Sequence, residues 1–372
     1  NTVMLVGAGA TTIRAVQAET ANYQSASVTA VLTVGQAQPL ISGFADMAKT
    51  YGDAAFTLTA PVSNSTGAFT FEGSNTAVAT VSGNTITIVG AGTATITVLQ
   101  AADPNYLPGS ITATLTVAKA IPVLSSFAAI GKVYGDAPFG IDVPASPSNG
   151  SFNYTSSNNG VATISGHTIT ITGAGTTTIT ATQAETANYT SGTITTSLYV
   201  GKATPVLDGF EALTKTYGDP DFELSAPSSA SPGAFTYTSS NAGVATVNGS
   251  TITINGAGVT TMTAEQAETA NYKAASITAI LSVAKAAPTM KHFADIAKTY
   301  GDPSFALALP VSNSTGAFTF TSSNPSVATV NGMTITIVGA GTATITATQA
   351  ADVNYNSGSI TAAPVIITDV VP

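Results

Sequence analysis

The chain has 372 residues, of which 44% are hydrophobic and only 8% charged, with 19 acids, 10 bases and a formal net charge of −9. A phosphate backbone demands a basic stripe; ten scattered bases, with Arg14 the single arginine, supply none, so nucleic-acid binding is disfavoured. No run of about 18 apolar residues offers a membrane span, and zero cysteine removes disulfides, thiolate metal sites and cysteine nucleophiles together.

Three markers return with one step of 83 residues: Gly-Ala-Gly from Gly7, Gly90, Gly173, Gly256 and Gly339; Asn-Tyr from Asn22, Asn105, Asn188, Asn271 and Asn354; and Tyr-Gly-Asp from Tyr51, Tyr134, Tyr217 and Tyr300. So strict a period makes each repeat a candidate domain. The boundaries fall at 1–37, the later half of a repeat, then 38–120, 121–203, 204–286 and 287–372, the last with a divergent end. Asn1 is the equivalent of Asn84 and is preceded by no charged leader, so no signal peptide is visible and the chain reads as part of something longer. Residues 1–37 hold strands that cannot close a core alone. Either the sequence simply begins there, or strands from another chain complete them.

Within 38–120, alternation of period two, the mark of half-buried strands, is nearly continuous. After an opening segment around 40–44, Phe56 and Leu58 alternate with Thr57 and Thr59, and Phe69 and Phe71 flank Thr70. Val78 and Val81 follow, then Ile86 and Ile88, then Ile96 and Val98, and finally Ile111, Leu115 and Val117, again with Thr between. Pro61, Gly67, Gly83-Asn84, Gly90-Ala91-Gly92 and Pro108-Gly109 break the runs. About seven strands and no helical stretch predict an all-β fold, a seven-stranded immunoglobulin-like β-sandwich of two sheets. The joints, such as Val117-Ala118-Lys119-Ala120, are short and run into Pro39, Pro122, Pro205 or Pro288. Joints this short and stiff predict a tandem array stacked end to end as a rod. The final repeat ends differently, with Pro364 in its last strand, which suits an edge or an exit.

The segments Thr321-Ser322-Ser323-Asn324-Pro325-Ser326-Val327-Ala328-Thr329-Val330-Asn331-Gly332 and Ile337-Val338-Gly339-Ala340-Gly341-Thr342-Ala343-Thr344-Ile345-Thr346-Ala347 resemble bacterial immunoglobulin-like repeats. They are similar to the group 2 type of invasin- and intimin-like adhesins and to the mostly-β repeats of giant surface proteins of Bacteroidetes and other Gram-negative bacteria. That resemblance implies an exported, non-enzymatic array at the bacterial cell surface that spaces a binding tip from the cell. It carries over no catalytic residue and no cofactor.

The candidate chemistry is sparse. Gly-Ala-Gly between strands reads as a hairpin turn with glycines at positive φ, since a phosphate cradle needs a helix behind it. Asp53, Asp136, Asp219 and Asp302 are the best calcium candidates; a site needs several converging oxygens, whereas the loop acids Glu19, Glu185 and Glu268 sit one position away from Asp103 and Asp352, so turn capping is the plainer role. Tyr23, Tyr106, Tyr189, Tyr272 and Tyr355 read as core plugs with hydroxyls on backbone, or as sugar-stacking platforms, and the Asn before each as a local Asx turn. Lys49, Lys132, Lys215 and Lys298, two residues before Tyr51 and its equivalents, are expected to lie over that ring, an isopeptide to Asn being the rival role. His167 and His292 follow no repeated phase.

Three readings of function are consistent with these residues. The first is a stalk segment. The second makes the repeats themselves bind glycan, host protein or surface by avidity. The third is a self-assembling fibre or sheath, suggested by a surface with few repelling charges and few lysines guarding strand edges. The expected partners are neighbouring repeats of the same long chain, with homo-oligomeric or strand-complemented assembly as an option.

Overall fold

The computed structural model describes residues 1–362 and 365–368; Pro364 lies outside them. Every regular element is a strand. Residues 1–37 contribute β1 (Gly9–Gln17) and β2 (Ala26–Val34), an antiparallel pair whose positions are nearly all exposed. The period 38–120 holds nine strands: β3 (Ile41–Ser42), β4 (Met47–Thr50), β5 (Phe56–Thr57), β6 (Val62–Ser63), β7 (Phe69–Gly73), β8 (Ala79–Ser82), β9 (Thr85–Ile88), β10 (Gly92–Gln100) and β11 (Gly109–Ala118). A four-stranded sheet runs β4-β11-β10-β7, a three-stranded one β5-β9-β8, and a small ladder β3-β6. All pairings are antiparallel except β4 with β11.

Nine strands replace the seven expected, and the two additions have a physical cause. In β4 the inward positions are Met47 and Lys49, so a lysine stands where alternation calls for an apolar residue. Its ammonium lies 4.7 Å from the centre of the Phe56 ring. Lys132, Lys215 and Lys298 repeat the arrangement over Phe139, Phe222 and Phe305 at 4.5–4.8 Å. Phe, not the expected Tyr, is thus the ring under each lysine, a cation–π contact that lets a charged residue occupy a half-buried strand position. In β6 only Val62 and Ser63 pair, too short a run to show a period.

The core fills the space between the sheets. Ile86, Ile96 and Leu115 are fully buried and pack with Leu58, Val78 and Val117, while Phe44, Phe56 and Phe71 close the sides. Each such side chain contributes about 1.5–3 kcal/mol of transfer free energy. The Thr residues between them, Thr93 and Thr95 on β10 and Thr112, Thr114 and Thr116 on β11, face outward. The same sheet order returns over 204–286, around Ile252, Met262 and Leu281. In the described part of 287–372, around Ile335 and Ile345, two three-stranded sheets stand in place of the four-stranded one: Ala297–Thr299 with Val365–Thr368 and Gly341–Ala343, and Phe318–Ser322 with Ile345–Gln349 and Gly358–Thr361.

By its contacts the chain divides into two compact units, Asn1–Lys132 with Asp136–Val200, and Val133–Gly135 with Gly201–Pro372. Each contains a joint between successive periods. No helix among the described residues is long and apolar enough to cross a membrane.

Candidate functional site: the joint between repeats

The three sequence markers meet at the joints. In the first unit Asn188 extends its Oδ1 to accept the Ala91 N–H at 2.9 Å, reaching back 97 residues to the middle of Gly90-Ala91-Gly92. Asn105 does the same for Ala8 at 2.9 Å, and in the second unit Asn354 does so for Ala257 at 2.8 Å. Beside the Asn188 and Asn354 clamps, the ring after the Asn meets the Tyr of Tyr-Gly-Asp edge-on: Tyr189 with Tyr51 and Tyr355 with Tyr217, both at 5.4 Å between centres. Tyr51 and Tyr217 also pack against the cores of their own repeats, so one ring joins core to joint.

These positions correct two expectations. The Asn serves the preceding repeat instead of an Asx turn. Its Tyr is half-buried at the joint instead of plugging a core, and Tyr23 is 74% exposed. The loop bearing both is itself fixed by the incoming chain: Ala120 donates its N–H to Asn188 O at 3.0 Å and accepts from Thr190 N–H at 2.9 Å. Ala37, Ala203 and Ala286 pair in parallel with Tyr106, Tyr272 and Tyr355 in the same way.

Gly-Ala-Gly is not a hairpin either, because β9 and β10 lie in different sheets. Its two glycines have separate duties. Gly92 takes φ +142°, closed to most side chains, whereas Gly90 lies so near the Ala77 carbonyl that a Cβ would stand 2.5 Å from that oxygen.

The acids that shift by one position form two interchangeable loop designs. Asp103 Oδ2 accepts from Thr66 N–H, Thr66 Oγ1 and Ser65 Oγ at 2.8–3.0 Å, and its Oδ1 accepts from Asn105 N–H and Tyr106 N–H. The Thr66 N–H bond, the largest cause, with those of Asn105, Ser65 and Thr66 Oγ1, outweighs desolvation and holds the carboxyl well below the usual carboxylate range. Asp352 repeats this with Thr315, Ser314, Asn354 and Tyr355, and is held down in the same way. In the two middle repeats a hydroxyl takes over: Thr186 and Thr269 accept from Tyr189 N–H and Tyr272 N–H at 3.1 Å. There Glu185 and Glu268 pair with Lys119 and Lys202, whose ammonium groups also reach the Thr186 and Thr269 carbonyls.

Of the calcium candidates, Asp53, Asp219 and Asp302 each turn Oδ2 to the N–H three residues earlier, on Thr50, Thr216 and Thr299, at 2.8–3.0 Å. Asp136 holds the equivalent place. Among the described residues no three acidic or histidine side chains converge. His167 and His292 lie on separate turns, and His292, like Ser126, adopts the left-handed φ near +60° that Gly43 and Gly209 supply elsewhere.

One recurrent group escaped sequence reasoning although it keeps the period: Gln100, Gln183, Gln266 and Gln349 are 1–2% exposed. Each Nε2 donates to two carbonyls of the loop before β7 or its equivalent, as Gln266 does to Ser231 O and Gly233 O at 2.8 and 2.9 Å, and each Oε1 accepts a serine hydroxyl. Recurrence at 83 residues was the signal available.

Residues 141–194 match the bacterial Ig-like domain (group 2), and residues 311–351 match the intimin immunoglobulin-like domain. Those two stretches, in the repeats 121–203 and 287–372, thus carry the pattern of bacterial immunoglobulin-like domains. Solved structures similar to the array of Ig-like repeats include Drosophila N-cadherin EC1-4, at 12% identity and TM-score 0.28, covering 87% of this chain and 99% of that one. Sidekick-1 immunoglobulin domains 1-5 show 12% identity and TM-score 0.28, covering 92% and 83%. A SusE-like surface-located polysaccharide-binding protein from Bacteroides thetaiotaomicron shows 11% identity and TM-score 0.19, covering 94% and 77%. No curated protein matches the chain significantly.

Proposed function

We propose that the chain is a non-enzymatic stalk segment of a bacterial cell-surface adhesin, exposed outside the cell, whose repeats set the distance between a binding tip and the surface. Each 83-residue period is taken as one sandwich, 38–120, 121–203, 204–286 and 287–372, with 1–37 the later half of another. The observation that supports this is the clamp, with Asn105, Asn188 and Asn354 each bonded to the preceding repeat and the linker backbone paired with the following one. A tether selected for freedom has no use for such bonds; a spacer needs them.

Small-angle scattering on the whole chain tests the reading. The native protein is expected to scatter as a stiff particle, and Asn188→Ala with Tyr189→Ala to add flexibility between otherwise folded repeats. Native scattering already typical of freely jointed beads would refute it. A second reading, a self-assembling fibre or sheath subunit, rests on a chain with only 8% charged residues, which leaves few charges to repel a neighbouring copy. Sedimentation showing only monomer at high concentration removes that one.

A further inference from the structure

Five Asn-Gly pairs stand in the chain, at Asn149, Asn159, Asn248, Asn255 and Asn331. Such a pair carries its own chemistry, because the glycine nitrogen, with no Cβ beside it, can reach the side-chain amide carbon of the residue before. The new N–Cγ bond closes a succinimide ring, the Cγ–Nδ2 bond breaks, and ammonia leaves with the proton of the glycine N–H. Water then opens the ring at either carbonyl, giving aspartate or isoaspartate.

The fold separates the five. Gly150 N–H donates to Ser148 Oγ at 3.3 Å, Gly160 N–H to Asn158 Oδ1 at 2.9 Å and Gly256 N–H to Val244 O at 3.2 Å, so three of the attacking nitrogens are engaged. Asn255 also gives its amide hydrogens to Ala242 O and Thr246 Oγ1. At Asn248-Gly249 and Asn331-Gly332, among the described residues, neither the Asn side chain nor the glycine N–H has a hydrogen-bond partner. Each Asn is the exposed last residue of an edge strand, Ala245–Asn248 or Ala328–Asn331, and its glycine turns the hairpin tip at φ +64° or +60°. A tip restrained from one side opens locally at little cost, which the attack requires.

The two tips differ in one anchor. Glu223 accepts the hydroxyls of Ser250 and Thr251 beside Gly249, whereas Ala306 and Met333 leave the last repeat without that hold. Ser82 and Ser165 stand where the other two repeats place their equivalent of Asn331, so the hairpin does not need the amide.

We propose that Asn331, and more slowly Asn248, are sites of spontaneous deamidation. Each event turns a neutral amide into a carboxylate, so charge accrues with age and without an enzyme at the tips in 204–286 and 287–372. Where isoaspartate forms, the main chain runs through the former side chain and the pairing of Asn331 with Thr334 is disturbed. The spacer reading does not depend on this chemistry and stands or falls separately.

Timed peptide mapping of the whole folded chain, incubated in mildly alkaline water enriched in oxygen-18, tests it. Asn331 is expected to convert first and Asn248 next, each about tenfold faster than Asn149, Asn159 or Asn255, the rate equivalent of one hydrogen bond. Each product should carry labelled oxygen. Glu223→Ala should bring Asn248 toward the rate of Asn331, and Asn331→Ser, copying Ser82, should silence that site without lowering the melting temperature. In the chain unfolded by urea the five rates should draw together. Conversion at Asn331 and Asn248 no faster than at the three bonded sites overturns the proposal. So does an order of rates that persists in urea, since flanking sequence and not the fold would then set it.

Discussion

A side-chain amide spanning 97 residues gives each of these joints a second attachment beside the covalent linker. Within the repeats the buried glutamines play the corresponding part. Gln266→Ala removes both donors to the Ser231 and Gly233 carbonyls and should cost about 1–3 kcal/mol, read from the denaturant transition of the repeat 204–286. The loop acids give a pH signature. A carboxyl held below its unfolded value contributes stability that is complete above about pH 4 and is lost as pH falls toward the folded value. Asp103 and Asp352 have that shift. Acid should therefore weaken 38–120 and 287–372 through these groups. Asp103→Thr, copying Thr186, should flatten the acid response of the first, followed by circular dichroism against pH. An unchanged acid midpoint would count against the assignment.

At the scale of the element, alternation located the long strands because Ile, Val and Leu on their inner face contrast with Thr outside. It failed at β4, where Lys49 occupies an inward position by lying on Phe56, and at β6, where two residues carry no period. The joint was half visible. Spacing locates the markers, but spacing within one sequence does not say which of two neighbouring periods a side chain serves. Ser126 and His292 show that the turn at Gly209 (φ +76°) accepts a side chain, so Gly209→Ser should cost no more than about 1–2 kcal/mol. Gly90→Ala drives a Cβ onto a backbone carbonyl and should cost more, and loosen the Asn188 clamp with it. Parallel thermal melts rank the two; an equal effect would show that room at Gly90 is not what matters.

For the molecule as a whole, low charge and clamped joints predict two collective properties. With 8% charged residues and exposed ion pairs such as Lys119 with Glu185, melting should move little between low salt and about 1 M, where charges beyond about 3 Å are screened. A large salt effect would mean that the few charges are coupled more strongly than their exposure implies. Repeats joined by an interface also unfold less independently than beads on a string. Calorimetry of Asn188→Ala with Tyr189→Ala should thus show a broader, more separated transition than the native chain.

The clamps at Asn105, Asn188 and Asn354 each join a residue to one in the next period. Gain or loss of a whole 83-residue unit by recombination therefore leaves every surviving clamp with a correct partner, while gain of any fraction mismatches one. The array's length is in this sense a heritable variable that selection can adjust in whole steps, without redesigning these clamps.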